Sequence, residues 1–365
     1  MIVIDGSYGE GGGQILRTSL ALSVITGEPV RIERIRAGRR KPGLMPQHLT
    51  AVRAAARICG AQVEGAKRNA QELTFHPTSA PQAGSYTFDV AQAAKGGSAG
   101  SVSLILQTVL LPLALAEGSS QVTLLGGTHV AWSPPYDYVK HVYLPALSRM
   151  GLTAKVTIKK WGWYPIGGGR IQAIIQGQEP GAALKLPDAS IVNQAVLNRG
   201  ALLRVRGLSG SSNLPKHIRT RQERAALQAL RSNGVNARIR VIDAPSKGQG
   251  TVVFLWADFE NSSAGFTALG ERGKPAERVA EEAASGLLDF LRGEAALDRY
   301  LADQLVLPLA LAAGPSRFTT EAVTDHLLTN AHIVNQFFPG CVRVEGEEGQ
   351  PGSCRIDNPI ERPAA

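Results

Sequence analysis

Apolar and polar positions along the first 180 residues fall into two rounds of one order: strand, helix, strand, helix and two more strands. In the first round the pattern predicts strands near 2–5, 30–35, 61–65 and 71–77, with helices near 13–26 and 46–59. In the second it predicts strands near 84–90, 121–125, 152–160 and 169–176, with helices near 100–117 and 136–150. Alternating elements joined by short loops imply helices laid on sheets.

The apolar helices repeat in sequence as well as in order. Leu111-Pro112-Leu113-Ala114-Leu115-Ala116-Glu117-Gly118 returns as Leu307-Pro308-Leu309-Ala310-Leu311-Ala312-Ala313-Gly314, and a fainter copy runs from Leu20 to Gly27. Each copy ends on glycine, the residue that best tolerates the left-handed turn past a helix end. A third unit therefore surrounds the Leu307 helix, yet a stretch with its own pattern precedes it. Ala201–Val205 reads as a strand, 215–232 as a charged helix, 236–242 and 250–258 as strands, and 275–292 as a helix. The expected fold is α/β (α+β): three strand-helix-strand-helix-strand-strand units, each a four-stranded sheet with two helices, plus a smaller inserted α/β domain. Residues 1–182 and 293–365 would form the repeat domain, its third unit split by an insert at 183–292.

Composition narrows the partners. No apolar run reaches the roughly 18–20 residues of a membrane span. The start, Met1-Ile2-Val3-Ile4-Asp5-Gly6, has neither the basic residues nor the long apolar stretch of a secretory signal, so cytoplasm is the expected compartment. Cys59, Cys341 and Cys354 match no zinc or disulfide spacing. A net charge of +9 favours polyanions, nucleic acid among them, although the basic residues are spread along the chain.

Four segments carry possible chemistry. Asp5-Gly6-Ser7-Tyr8-Gly9-Glu10-Gly11-Gly12-Gly13-Gln14-Ile15-Leu16-Arg17 is a strand, a glycine-rich turn and a helix start. Such a turn serves equally as a tight connection or as an anion seat at a helix N-terminus, and it matches neither standard phosphate-binding fingerprint. Glu10 and Arg17 favour the anion seat, since a carboxylate can hold a divalent metal on a triphosphate while an arginine clamps its oxygens. Arg36, Arg39, Arg40 and Lys41 form a basic loop ahead of Gln47-His48, suited to a polyphosphate or an RNA end, or simply solvated. Tyr300-Leu301-Ala302-Asp303-Gln304 occupies on its repeat the register that Gln107 occupies on another, with Pro112 aligned to Pro308. His326-Leu327-Leu328-Thr329-Asn330 opens a later helix, but chemistry alone selects none of the seven histidines.

Taken together, these segments resemble the RNA 3'-terminal phosphate cyclase family. The likeness rests on Gly9–Arg17, Arg36–Arg39, Lys41–Leu44, Gln47–Val52, Leu106–Leu110, Tyr300–Pro308 and His326–Asn330, in family order along nearly the whole chain. It implies three repeats like those of enolpyruvyl transferases and a translation initiation factor, with a thioredoxin-like insert. By that resemblance His326 is a nucleophile that takes AMP from ATP, and Gln107 with Tyr300, Leu301, Ala302, Asp303 and Gln304 contacts the nucleotide. Glu10 would hold a divalent metal, Mg2+ or Mn2+, while Arg17, Arg36, Arg39 and Gln47 bind phosphates. The implied reaction uses ATP to close an RNA 3'-phosphate onto the neighbouring 2'-hydroxyl. Ala91–Gly96 departs from the family by lengthening the second repeat's turn. Two rival readings are a non-catalytic, cyclase-like factor of ribosome assembly and an enolpyruvyl transferase; an intact His326 motif opposes the first, and ATP dependence would exclude the second.

Overall fold

The computed structural model describes residues 1–94, 98–179, 198–312 and 314–357. The first unit contains strand β1 (Ile2–Asp5), helix α1 (Gly13–Thr26), β2 (Val30–Glu33), α2 (Pro46–Cys59), β3 (Gln62–Glu64) and β4 (Leu73–His76). Its sheet runs β1-β2-β4-β3, with β1 parallel to β2 and the other pairs antiparallel. The second unit repeats the plan with β5 (Ser85–Asp89), α3 (Val102–Leu115), β6 (Ser119–Gly126), β7 (Ala154–Lys160) and β8 (Gly169–Gln176). Its order, β5-β6-β8-β7, and its strand directions are those of the first.

The helix expected over 136–150 is broken. Residues Tyr136–Tyr138 form a turn of α-helix (α4), Val139–Tyr143 a π-helical turn, and Leu144–Arg149 the remaining helix, α5, which has proline in its first turn. Proline has no amide hydrogen to continue the preceding ladder, and insertion of a π turn accommodates the mismatch. Of the lengthened stretch Ala91–Gly96, Val90–Ala93 winds into a 3-10 turn, whereas Lys95 and Gly96 lie outside the described residues.

Further along the chain come β9 (Leu202–Ser212), α6 (Lys216–Ser232), β10 (Ala237–Asp243), β11 (Gly250–Phe259), β12 (Ser263–Leu269) and α7 (Ala276–Arg292). They form a sheet of order β10-β9-β11-β12 with β10 parallel to β9. Strand β9 runs seven residues past the Val205 end that the apolar pattern predicts, and β12 is a strand where that pattern predicts none. Strand β11 is apolar from Val252 to Ala257 because both faces are covered there. Val253, Leu255 and Ala257 join the core under α6 and α7, while Val252, Phe254 and Trp256 join the core shared with the repeats. The last elements are α8 (Arg299–Ala310), β13 (Ser316–Thr320), α9 (Asp325–Phe337), β14 (Val342–Glu345) and β15 (Gly352–Ile356). Among the described residues their sheet has three strands, β13-β15-β14, all antiparallel, the arrangement of the last three strands in each earlier unit. The expected start of the insert at residue 183 lies outside the described residues, as does the tail from 358.

The apolar helices of the three units meet at the centre of the molecule. Helix α1 lies against both α3 and α9, and α8 packs on α9. Polar residues at the ends of these helices therefore converge although they are far apart in sequence.

Candidate active site

Helix α1 begins at Gly13 with Gly12 at its cap, and no side chain satisfies its first amides. A helix start of this kind offers its N–H groups and partial positive charge to an anion. Arg17, one turn into the helix, is buried, and burial pushes its guanidinium down to about 10, still protonated at neutral pH. Its Nη2 donates to Gln14 Oε1 at 2.7 Å, while its Nε has no hydrogen-bond partner among the described residues. A buried cation with an unused donor is prepared for an acceptor from outside the protein.

Gln14 also ties this end to the third unit. Its Nε2 donates to Thr18 Oγ1 at 2.9 Å and to Asn330 Oδ1 at 3.0 Å, and Thr18 Oγ1 donates to the same oxygen at 2.7 Å. Asn330 in turn donates through Nδ2 to the carbonyl of Asp303 at 2.7 Å. Gln14 and Asn330 belong to quoted motifs, but nothing in their spacing announced that they meet.

His326 stands one residue inside the start of α9, whose cap Thr324 accepts from Leu327 N–H at 3.0 Å. Its Nδ1 lies 3.2 Å from Glu10 Oε2, and neither atom makes an aligned hydrogen bond among the described residues. The carboxylate beside it raises the imidazole above its ordinary value. The free ring is thus more basic than the unperturbed imidazole assumed from sequence. Glu10 Oε1 is ion-paired to Arg39.

The basic loop is held from within. Arg36, at φ 55°, donates from Nη1 to the carbonyls of Lys41 at 2.7 Å and Gly43 at 3.0 Å. Gly43 has φ 76°, and a Cβ there would lie 2.3 Å from Asn69 O. Gly43→Ala therefore combines left-handed strain with a backbone collision. It should lower stability by about 2–3 kcal/mol, read as a fall in the denaturant midpoint, and loosen the loop that holds Arg36.

The neighbouring histidine has another task. His48 is buried and pushed down to about 3, so it is neutral, and its Nδ1 accepts from Met45 N–H at 3.1 Å as a helix cap. Gln47 accepts from Ser101 N–H at 3.2 Å, linking the first unit to the start of α3.

On the opposite wall, Gln107 of α3 donates to Gln304 of α8 at 2.6 Å, the junction of repeats that the aligned prolines implied. Tyr300, Asp303 and Gln304 share one helical face and line the cleft, whereas the side chains of Leu301 and Ala302 turn into the core. Asp303 is buried and raised to about 7 by that burial, and it accepts from the Thr324 hydroxyl. Between these walls is a cleft of about 980 Å³ that gathers Glu10, Arg17, Arg36, Arg39, Gln107 and His326. Strand β12 and Trp132 complete its lining. Asp298, the cap of α8, is entirely buried behind it. Its carboxylate accepts from Tyr138 Oη at 2.8 Å, Tyr300 N–H at 3.0 Å, Leu301 N–H at 2.9 Å and Gly265 N–H at 3.0 Å.

Residues 8–344 match the RNA 3'-terminal phosphate cyclase family. The chain belongs to that family. It is 50% identical over 358 residues to the RNA 3'-terminal phosphate cyclase of Methylococcus capsulatus, covering 98% of this chain and 96% of that protein. The cyclase of Gloeothece citriformis is 49% identical over 92% of this chain and 93% of its own, and that of Thermococcus onnurineus 44% over 98% and 99%. Family membership bears out the enzyme class expected from the sequence, an ATP-using ligase. Among solved structures, the enolpyruvyl transferase NikO from Streptomyces tendae aligns over 98% of this chain and 81% of its own at TM-score 0.21 and 13% identity, too remote to bear on fold or activity. No helix among the described residues is long and apolar enough to cross a membrane.

Proposed function

We propose that this cyclase converts an RNA 3'-terminal phosphate to a 2',3'-cyclic phosphate through a covalent AMP adduct on His326. The observation that carries this reading is His326 Nδ1 at 3.2 Å from Glu10 on the wall of a cleft that also bears Arg17, Arg36 and Arg39, an arrangement that leaves the other ring nitrogen for a substrate in that cleft. With its proton on Nδ1 facing the carboxylate, the ring would attack the α-phosphorus of ATP through Nε2, and pyrophosphate would leave. Glu10 offsets the positive charge that the ring gains as the N–P bond forms, and the arginines offset charge on the phosphate oxygens.

An oxygen of the RNA 3'-phosphate then attacks the phosphorus of the adduct. The N–P bond breaks, the imidazole is restored, and the RNA end carries a 3'-pp-5'-A anhydride. The vicinal 2'-hydroxyl attacks the RNA-side phosphorus, loses its proton and expels AMP. Nucleophile and target share one ribose, so proximity replaces most of what a dedicated base would supply. The sum is ATP and RNA 3'-phosphate in, and cyclic phosphate, AMP and pyrophosphate out.

Glu10 is the residue we assign to a divalent metal. Among the described residues no group of three or more acidic, cysteine or histidine side chains gathers to hold a metal ion, at Glu10 or away from it, so phosphate and water would have to supply most of the ligands. One carboxylate suits Mg2+ or Mn2+ shared with a triphosphate, since such ions take most remaining ligands from phosphate and water. The ion would neutralise charge on the nucleotide. Glu10 Oε1 already faces Arg39 and Oε2 the His326 Nδ1, so Arg39 is expected to pass to a phosphate when the nucleotide binds. We further assign Gln107, Tyr300, Asp303 and Gln304 to the nucleotide, and residues 183–292 to an inserted unit.

The test is incubation with α-labelled ATP and Mg2+ or Mn2+, followed by denaturing electrophoresis. Acid-labile, alkali-stable label on the protein is expected, discharged by RNA bearing a 3'-phosphate. RNA with a terminal 2'-deoxyribose should accept AMP yet release no cyclic end. Absence of label under any metal or pH would return the protein to a cyclase-shaped RNA-binding factor.

A further inference from the structure

Trp161, Trp163 and Trp256 are buried, but Trp132 is 99% exposed. Its backbone φ of 62° lies in the left-handed region that a bulky side chain ordinarily avoids. Nothing on the solvent side repays that conformation with packing. The loop is nonetheless braced, for Ser133 Oγ donates to Val130 O at 3.1 Å and Ser103 Oγ, from the start of α3, donates to Pro134 O. Two prolines, Pro134 and Pro135, stiffen it further. The indole is therefore held out on a rigid support, and it borders the same cleft as His326 and Arg17.

An outlying backbone conformation that holds an unpartnered side chain at a functional site calls for a functional account. An aromatic platform beside a cationic groove is the arrangement by which proteins hold single-stranded nucleic acid, because every base has a face to stack while the groove takes the phosphates. We propose that Trp132 stacks on a base of the RNA strand a few nucleotides before its 3'-phosphate, positioning the end for attack on the His326 adduct. The inference rests on the cleft receiving an RNA end. Adenine of ATP is the less fitting occupant, since the wall assigned to the nucleotide carries Tyr300, whose ring meets Tyr138 edge-on at 6.3 Å, whereas Trp132 stands on a different loop.

Two measurements test this. In the first, RNA with a 3'-phosphate is titrated into the protein without ATP. The exposed indole gives a red-shifted emission, accessible to acrylamide, that the three buried tryptophans do not share, so stacking should quench it and shield it from acrylamide. The quenching should vanish in Trp132→Phe. In the second, Trp132→Ala should raise KM for RNA about tenfold and Trp132→Phe only slightly, with KM for ATP and kcat unchanged. Abasic substitutions scanned through the last few nucleotides should find one position that costs the native protein the same factor and the Ala variant nothing more.

Unchanged emission and an unchanged RNA KM in Trp132→Ala would overturn the proposal. A rise confined to KM for ATP would do so too, giving the indole to adenine. Failure of the cyclase reading looks different, because then 3'-phosphorylated RNA would neither discharge label nor yield a cyclic product with the native protein.

Discussion

His326→Ala should cut covalent AMP labelling of the protein by at least about three orders of magnitude, the scale typical of removing an attacking side chain. The reason is local. His326 lies one residue inside the helix, half-buried, and the cap of that helix is Thr324, so truncation removes the imidazole without unmaking the turn that carries it. ATP should still bind through the arginines and the α8 wall, and unfolding should stay within a degree or two of the native value. The measurement pairs the labelling assay with nucleotide binding by calorimetry. A labelled variant, or one that no longer binds ATP, would remove His326 from the role assigned to it. Cyclisation of RNA that already carries the adenylyl anhydride should survive in this variant, since that step no longer needs the imidazole.

Asp298→Ala should act on stability, by about 3 kcal/mol at pH 5. Its carboxyl oxygens cap α8 and also receive Tyr138 and Gly265, so the change removes a cap, worth about 1 kcal/mol, and strands two buried donors at about 1 kcal/mol each. The loss should depend on pH with a definite sign. Burial pushes Asp298 up to about 7, so between pH 4 and 7 the unfolded chain has released a proton that the folded chain keeps. Native stability falls as pH rises through that window and levels off above it. The variant keeps the slope that Asp303 contributes and loses only that of Asp298, so its deficit should shrink toward pH 8. Denaturant midpoints at pH 5, 6, 7 and 8 check both size and sign. A deficit that grows with pH would mean that the carboxylate is held ionised.

Elements with a clear period are legible in the sequence. Helices α1 and α2 run over the residues the pattern assigned, because each is bounded by glycine on one side and a proline or glycine turn on the other. The misreadings follow from residues whose meaning is set by distant partners. The Gly-Leu-Ser-Gly-Ser-Ser end of β9 has the composition of a loop, yet Gly210 must lack a side chain because the Trp161 ring occupies its place, with Cη2 2.6 Å from where a Cβ would stand. Strand β12, with its alanines and glycine, shows no period and is defined by pairing to β11. The same holds within the site. Arg17, Arg39, Gln107 and His326 could be nominated from motifs, but Gln14 and Asn330 meet across 316 positions of sequence, a contact written in the packing of α1 on α9. His48 is one of seven histidines that chemistry alone does not tell apart, and its burial together with the bond from Met45 N–H shows it to be a cap.

The two-sided burial of β11 sets a limit on how far this chain can be reduced. Phe254 and Trp256 fill the centre of the larger body from a strand whose other side belongs to the smaller one, and β12 next to it walls the cleft. A minimal enzyme made by excising the smaller body would open a void at the heart of the remainder and leave its substrate channel without one bank. Shortened forms should therefore come out insoluble instead of merely slower, and attempts to simplify the protein are better directed at its exposed turns.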